Sequence, residues 1–182
     1  MTYASDDLRN EHEGILFGLK ILEKMIILIK TNKKVDNEKL IKILNFLRLF
    51  ADKCQHGKEE GLLFPEMEKV GIKKENGPIG QMLIEHDQGR KYIKEMGLAI
   101  ENETADMRRF VENAKNYIEL LRKHIDKENT VLFPMGDKLL TKEIQDKLLE
   151  SFEEFEEKVM GKGTHEKLHE MLHKFEKEYL KV

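Results

Sequence analysis

Two segments of the chain nearly repeat each other, and each places a glutamate four residues after a histidine. The first runs from His56 to Pro65 and the second from His124 to Pro134, and both end in Leu-Phe-Pro. On a helix, residues four apart lie on one face, about one turn from each other. Imidazole and carboxylate groups that project from facing helices build the metal sites of helical bundles. The repeated segment therefore predicts a helical protein with a metal site in its interior.

Two neighbouring glutamates compete for one position in the first segment. Glu60 lies four residues after His56, and so keeps the spacing that Glu128 has from His124. Glu59 instead matches Glu128 when the two segments are aligned on Leu-Phe-Pro. Because the spacing between ligands is the physical constraint, we predict Glu60 as the ligand and keep Glu59 as the alternative.

A second pair of matching segments precedes each of these. Glu11-His12-Glu13 corresponds to Glu85-His86-Asp87, and both histidines lie at helical spacing from apolar residues. A unit of two helices therefore occurs twice, with a period of roughly 70 residues, which indicates a pseudo-twofold arrangement. Each half contributes one histidine from its first helix, and one histidine and one glutamate from its second.

The pooled side chains form a mixed set of nitrogen and oxygen ligands. The set contains four histidines and two glutamates: His12, His56, Glu60, His86, His124 and Glu128. Two carboxylates can bridge two cations while two histidines bind each of them. Such a set suits iron, with manganese or zinc as alternatives. Four unrelated core histidines are the competing interpretation, which we disfavour because burying several unpaired ionisable groups would be costly.

The remaining pattern predicts an all-α fold. We expect an up-down-up-down antiparallel four-helix bundle over about 5–140, with two more helices in the C-terminal extension 141–182. Because proline cannot continue a helix normally, Pro65 should end or kink the second long helix, and the fourth should end before Pro134. The junction at 102–106 is ambiguous. No linker divides the chain, so we expect a single domain over 1–182.

Charge and hydropathy exclude several classes of protein. The net charge of -3 and the lack of a basic stripe argue against nucleic acid as a partner. The N-terminus has no signal-peptide pattern, and the most apolar stretch is too short to span a membrane. The single cysteine, Cys54, fits a reducing compartment. We therefore expect a cytoplasmic protein without a membrane partner.

Together these motifs resemble the hemerythrin family, and specifically the hemerythrin-like (HHE cation-binding) domain. The resemblance covers about residues 5–140 and includes Arg90, four residues after His86. It implies a four-helix bundle with a non-haem di-iron centre that binds dioxygen or related small ligands. By motif position it implies six ligands: His12, His56, Glu60, His86, His124 and Glu128. Oxygen-carrying members place a carboxylate five residues after the fourth-helix histidine, where this chain has Asn129, and they use five histidines.

The pattern is closer to the branch that includes iron-sulfur cluster repair proteins and members linked to iron, nitric oxide or peroxide. We expect two iron ions, oxo- or hydroxo-bridged when oxidised, that bind dioxygen or nitric oxide for sensing, storage or scavenging. The alternative is a di-iron enzyme or repair protein acting on peroxide, nitric oxide or iron-sulfur clusters, and a structural zinc protein is the weakest option. The sequence leaves enzymatic activity and oligomeric state undecided.

A separate row of histidines follows one face of the last helix. His165, His169 and His173 recur every four residues. We interpret the row as a solvated face, since no second element offers a motif to complete a metal site. His165 is the exception, because it follows a Gly-x-Gly break and could reach the bundle as a gate or a fifth histidine.

Overall fold

The computed structural model describes residues 3–101 and 105–181, and every regular element in those ranges is helical. Residues 102–104 of the ambiguous junction lie outside the described part. The α-helices are α1 (Ala4–Lys30), α2 (Asn37–Phe46), α3 (Phe64–Lys69), α4 (Pro78–Ile100), α5 (Met107–Lys127), α6 (Phe133–Leu139), α7 (Lys142–Met160) and α8 (Thr164–Tyr179). Three π-helical segments are π1 (Leu47–His56), π2 (Glu59–Leu63) and π3 (Glu128–Leu132). The all-α fold is confirmed.

Side-chain contacts show the relative directions of the long helices. Glu85 of α4 contacts His124 of α5, and Glu95, farther along α4, contacts Arg109, nearer the start of α5. These two helices therefore run antiparallel. The same reversal relates α1 to α5. His12 contacts Asn129, just after α5, whereas Glu23, later in α1, contacts Arg122, which lies earlier along the chain than Asn129.

Four long helices form the bundle: α1, the continuous segment from α2 through α3, α4, and the continuous segment from α5 through α6. The second and fourth of these continue through their prolines, so the predicted break before Pro134 is wrong, and so is an end at Pro65. The N–H groups of Phe64 and Phe133 donate to the carbonyls of Glu59 and Glu128, five residues earlier. A π-turn of this kind widens the helix by one residue per turn and lets it pass the proline, which has no N–H to donate. Both π-turns occur at the repeated motif, which makes them a feature of the repeat.

The apolar core is divided into two clusters, and the predicted ligands lie between them. On α1, Ala4 and Leu8 belong to one cluster, and Ile15 and Leu19 belong to the other. His12 lies between these pairs. The other three long helices repeat this order, so a polar layer crosses the bundle at one level.

The two C-terminal helices pack on the side of the bundle formed by α1 and the second long helix. Phe155 of α7 lies against Gly57, and Glu178 of α8 pairs with Lys39 of α2. The assignment of bundle and extension to one domain stays a prediction. No helix in the described part of the chain is both long enough and apolar enough to cross a membrane.

Candidate metal centre

The polar layer contains two overlapping groups of buried side chains. One group joins His56, His86 and His124 to Glu59, and the other joins His12 to Glu59 and Glu128. Within each group the potential ligand atoms lie within 4.8 Å of one another. Two histidines per cation were expected, whereas the structure places three histidines in one group and one in the other. Glu59 belongs to both groups.

The two glutamates lie between pairs of histidines. Oε2 of Glu128 is 3.2 Å from Nε2 of His12 and 3.3 Å from Nε2 of His124. Oε2 of Glu59 is 3.3 Å from Nε2 of His86, and Nε2 of His86 is 3.0 Å from Nε2 of His124. Carboxylates and imidazoles that converge at these distances are suited to shared cations.

Of the two glutamates in the first motif, the structure brings Glu59 into the cluster and leaves Glu60 outside it. Glu59 is fully buried, whereas the Glu60 side chain is 29% exposed. The Glu60 carboxylate accepts hydrogen bonds from Nδ1 of His86 at 2.7 Å and from Arg90 at 2.6 Å. The prediction of Glu60 as the residue inside the cluster is therefore corrected in favour of the alternative, Glu59.

The register of the π-turns explains this correction. Glu59 and Glu128 are the first residues of π2 and π3, and each segment ends at the leucine of Leu-Phe-Pro. The alignment on Leu-Phe-Pro therefore identifies the equivalent carboxylates. The spacing from the histidine does not identify them, because a glutamate three residues after His56 lies on the same face of a helix as one four residues after it.

Equivalent aromatic contacts in the two halves of the repeat join the second long helix to the third, and the fourth to the first. The ring of Phe64 stacks on His86 at a centroid distance of 6.0 Å, and that of Phe133 stacks on His12 at 5.5 Å. Each Leu-Phe-Pro motif thus supplies an aromatic ring to one histidine of the other half of the repeat.

Three of the four histidines donate a hydrogen bond through Nδ1. His86 donates to Glu60, His12 to Asn129 at 2.9 Å, and His124 to Glu85 at 2.9 Å. Donation from Nδ1 fixes the tautomer in which Nε2 carries a free lone pair for a cation. Glu60 and Asn129 each directly follow a cluster glutamate, so they occupy equivalent places in the two halves.

Gln55 is a residue of this site that the sequence reasoning missed. It is fully buried, and its Nε2 group donates to Oε1 of Glu59 at 2.6 Å and lies 3.0 Å from Nε2 of His12. Its only signal in the sequence is that it directly precedes His56. That signal is weak, because adjacent residues of a helix lie on different faces.

Three of the four histidines, His12, His56 and His86, differ in pKa. Burial lowers the pKa of His86, but the adjacent Glu59 carboxylate and the hydrogen bond to Glu60 outweigh it and raise the pKa to about 9. For His12, burial also opposes protonation, and the adjacent Glu128 carboxylate outweighs it and raises the pKa. Burial, reinforced by the neighbouring histidines, holds the pKa of His56 well below its usual value.

The two buried glutamates, Glu59 and Glu128, also differ in pKa. Burial and the nearby Glu128 carboxylate raise the pKa of Glu59. Burial opposes ionisation of Glu128 as well, but the charge of His124 and the adjacent imidazole of His12 lower its pKa. Glu128 is therefore the carboxylate that more readily stays ionised in the metal-free protein.

Several buried polar atoms in the described part of the cluster have no hydrogen-bond partner. They are Oε2 of Glu59, both carboxylate oxygens of Glu128, Nδ1 of His56 and Oε1 of Gln55. Unpartnered buried polar atoms are costly, and their concentration at one level needs a physical reason. Cations held by these carboxylates and imidazoles would supply it, so the residues present fit a metal centre.

His165 lies outside both groups. Its ring stacks on Phe50 at a centroid distance of 5.6 Å, and it lines a pocket on the side of the bundle with Glu11 and Glu156. The structure therefore does not place it as a fifth histidine of the cluster.

The sequence comparisons agree with this geometry. No curated protein and no solved structure matches the chain. The model of one family, the hemerythrin HHE cation-binding domain, matches residues 3–136, a range that includes every member of the two buried groups. The chain therefore belongs to the hemerythrin HHE cation-binding domain family.

Proposed function

We propose that this protein holds two iron ions in the polar layer and binds dioxygen or nitric oxide there, for sensing, storage or scavenging. The observation that carries the proposal is the sharing of Glu59 between the two groups of ligands. A carboxylate within reach of two sets of ligands is the arrangement that a bridged pair of cations requires. Manganese and zinc are the alternative metals for the same set.

The proposed ligands follow from the two groups. His56, His86 and His124 would hold one ion, His12 would hold the other, and Glu59 and Glu128 would bridge them. Glu60, Asn129 and Glu85 would act behind the histidines by accepting their Nδ1 protons. When bound, iron supplies the electrons and an exchangeable coordination position for a small ligand.

The surroundings of the layer support ligand binding. Apolar clusters lie on both sides of it, and Phe64 and Phe133 cover two of its histidines. Apolar walls limit the access of water and favour a small uncharged ligand over an ionic one. Our preference for binding over turnover rests on this environment.

An enzyme or repair protein that acts on peroxide, nitric oxide or iron-sulfur clusters remains the second candidate. The uneven distribution of histidines favours it. The group around His12 contains one imidazole and two carboxylates, of which Glu59 is shared with the other group, so a cation there would have fewer protein ligands than its neighbour. An incompletely coordinated cation is what a reactive centre needs.

The test is the metal content of protein purified without oxygen, with absorption spectra before and after exposure to air. About two irons per chain, with oxo-bridge bands appearing in air, are expected. Zinc alone would contradict the proposal and favour a structural role. Steady-state consumption of peroxide or nitric oxide by the iron form would favour the second candidate instead.

A further inference from the structure

A pair of histidines on α8 has the geometry of a metal chelate outside the polar layer. His165 and His169 are four residues apart on the helix, and their Nε2 atoms lie 3.3 Å from each other. Two histidines four residues apart on one helix face are a known means of binding zinc. Two nitrogens at this separation, each about 2.1 Å from one ion, would make an angle of about 104° at that ion, close to tetrahedral.

Contacts with the bundle restrict both rings. The ring of Phe50, from π1, stacks on His165 at 5.6 Å and meets His169 edge-on at 6.4 Å. Both rings are thus positioned against one aromatic neighbour. A pair that is already oriented loses less conformational entropy when it binds an ion.

The two imidazoles open onto an acidic pocket. The pocket has a volume of about 290 Å³, and its lining includes Asp7, Glu11 and Glu156 together with both histidines. All three carboxylates accept hydrogen bonds from the single ammonium of Lys58, so negative charge exceeds positive charge at this wall. Such an excess attracts cations.

One carboxylate oxygen in this wall lacks a partner. Glu11 is 7% exposed, and its Oε2 atom is buried without a hydrogen bond, whereas Oε1 accepts from Lys58 at 2.8 Å. Buried carboxylate oxygens are normally hydrogen-bonded. Glu11 lies near Cys54 and Glu156 rather than within reach of both imidazole nitrogens, so it adds to the acidic character of the pocket and is not a third ligand.

We propose that His165 and His169 bind a divalent transition-metal ion at the mouth of this pocket, as an accessory site separate from the polar layer. The pair of imidazoles selects Cu²⁺, Ni²⁺, Zn²⁺ or Fe²⁺ over Mg²⁺ and Ca²⁺, which prefer oxygen ligands. Water completes the coordination, since no carboxylate of the described residues is grouped with these two nitrogens. Because Glu11 precedes His12, the site lies beside a helix that enters the polar layer.

The competing explanation is a hydrogen bond between the two rings, which needs no ion. Zn²⁺ binding distinguishes the two cases when it is measured by equilibrium dialysis on protein whose polar layer is already loaded with iron. Wild-type protein should bind about one additional zinc per chain that a large excess of Mg²⁺ does not displace. His165→Ala and His169→Ala should each weaken that binding at least tenfold while the iron content stays unchanged.

His173→Ala is the matched control, since His173 lies on the same face of α8 and pairs with Glu176 at 3.6 Å. It should leave the additional zinc in place. Cu²⁺ electron paramagnetic resonance adds a second readout, with coupling to two nitrogens in the wild type and to one in each variant. Absence of any additional ion, or equal weakening in the control, would overturn the proposal. Neither outcome depends on which small molecule the polar layer binds.

Discussion

Nδ1 of His86 lies 2.7 Å from Oε1 of Glu60, while Nε2 of the same ring lies 3.3 Å from Oε2 of Glu59. Two consecutive glutamates thus contact opposite sides of one histidine. One of them faces the buried cluster, and the other lies behind the ring with Arg90. The proposed centre therefore gives the two carboxylates different roles, which substitution can separate.

Glu59→Gln should remove at least one of the two proposed ions, because it replaces the carboxylate that both groups share. Glu60→Gln should retain both ions and weaken their affinity about 10- to 100-fold, the usual cost of losing a partner behind a metal-bound histidine. Iron per chain and competition with a chelator measure the two effects. Loss of iron in Glu60→Gln with full retention in Glu59→Gln would show that the roles are reversed.

Gln55 should affect the site through Glu59. Its amide N–H donates to Oε1 of Glu59 at 2.6 Å, and Gln55→Leu removes that orienting bond without removing a proposed ligand. We expect about 10- to 100-fold weaker binding of iron with correct folding of the bundle. Chelator competition on iron-loaded protein measures the change.

Gln145→Leu is the control for Gln55→Leu. Gln145 is another fully buried glutamine, but its carbonyl accepts from the backbone N–H of Ala4, away from the polar layer. Its substitution should lower stability and leave iron affinity unchanged. Equal loss of iron affinity in the two variants would mean that Gln55 acts only through the general stability of the bundle.

Much of the fold could be predicted from the sequence, because helical periodicity and the repeat act over long, regular segments. The spacing of histidines such as His12 and His86 from apolar residues placed them correctly in the bundle interior. The prolines were misleading because the prediction assumed α-helical hydrogen bonds. The π-turns at Glu59 and Glu128 let the helices continue.

The details of the site were harder to predict, because they depend on contacts between helices. The choice between Glu59 and Glu60 follows from a π-turn register, and only the Leu-Phe-Pro alignment carried information about it. The inclusion of Gln55 and the uneven grouping of the histidines follow from side-chain packing across the bundle. The spacing of residues along one helix carries no information about how side chains of different helices pack together.

Metal binding should strengthen as the pH rises towards 9. Only the neutral imidazole binds a cation, and the adjacent Glu59 carboxylate and the hydrogen bond to Glu60 raise the pKa of His86 to about 9 despite its burial. Below that value a proton must leave, so affinity should fall about tenfold per pH unit from this group alone. Titration calorimetry with Zn²⁺ in two buffers of different ionisation enthalpy measures the released protons. Binding at pH 7 that does not depend on the buffer would contradict this assignment.

The stability of the metal-free protein should fall over the same pH range in which metal binding strengthens. Because the folded-state pKa of His86 lies above the unfolded value of 6.5, the folded protein binds the proton more tightly. This contribution is fully present below pH 6.5 and is lost as the pH rises towards 9. The midpoint of urea unfolding should therefore fall over that range in apoprotein, and more steeply than in His86→Ala.

Lys58 should stabilise the bundle through a buried ion network that is separate from the polar layer. Its side chain is fully buried, and its ammonium lies 3.1 Å from Asp7, 2.8 Å from Glu11 and 3.1 Å from Glu156. Lys58→Met leaves these carboxylates without their cation. We expect a loss of about 3 kcal/mol, at the low end for a broken buried pair, since Asp7 and Glu156 still reach solvent.

The pH dependence of that loss provides a sharper test. Burial raises the pKa of Glu11 to about 7 even though Lys58 opposes the shift, so removing Lys58 must raise this pKa further. A raised carboxyl pKa favours the folded state below the unfolded value of 4.5, and this contribution is lost as the pH rises through the folded value. The difference in the free energy of unfolding between wild type and Lys58→Met should therefore be larger at pH 8.5 than at pH 6.

Lys123→Met is the control, since it removes an exposed lysine paired with Glu119. It should show no such pH dependence in urea unfolding of apoprotein. A difference that is independent of pH would mean that Lys58 contributes through the packing of its buried alkyl chain rather than through its charge.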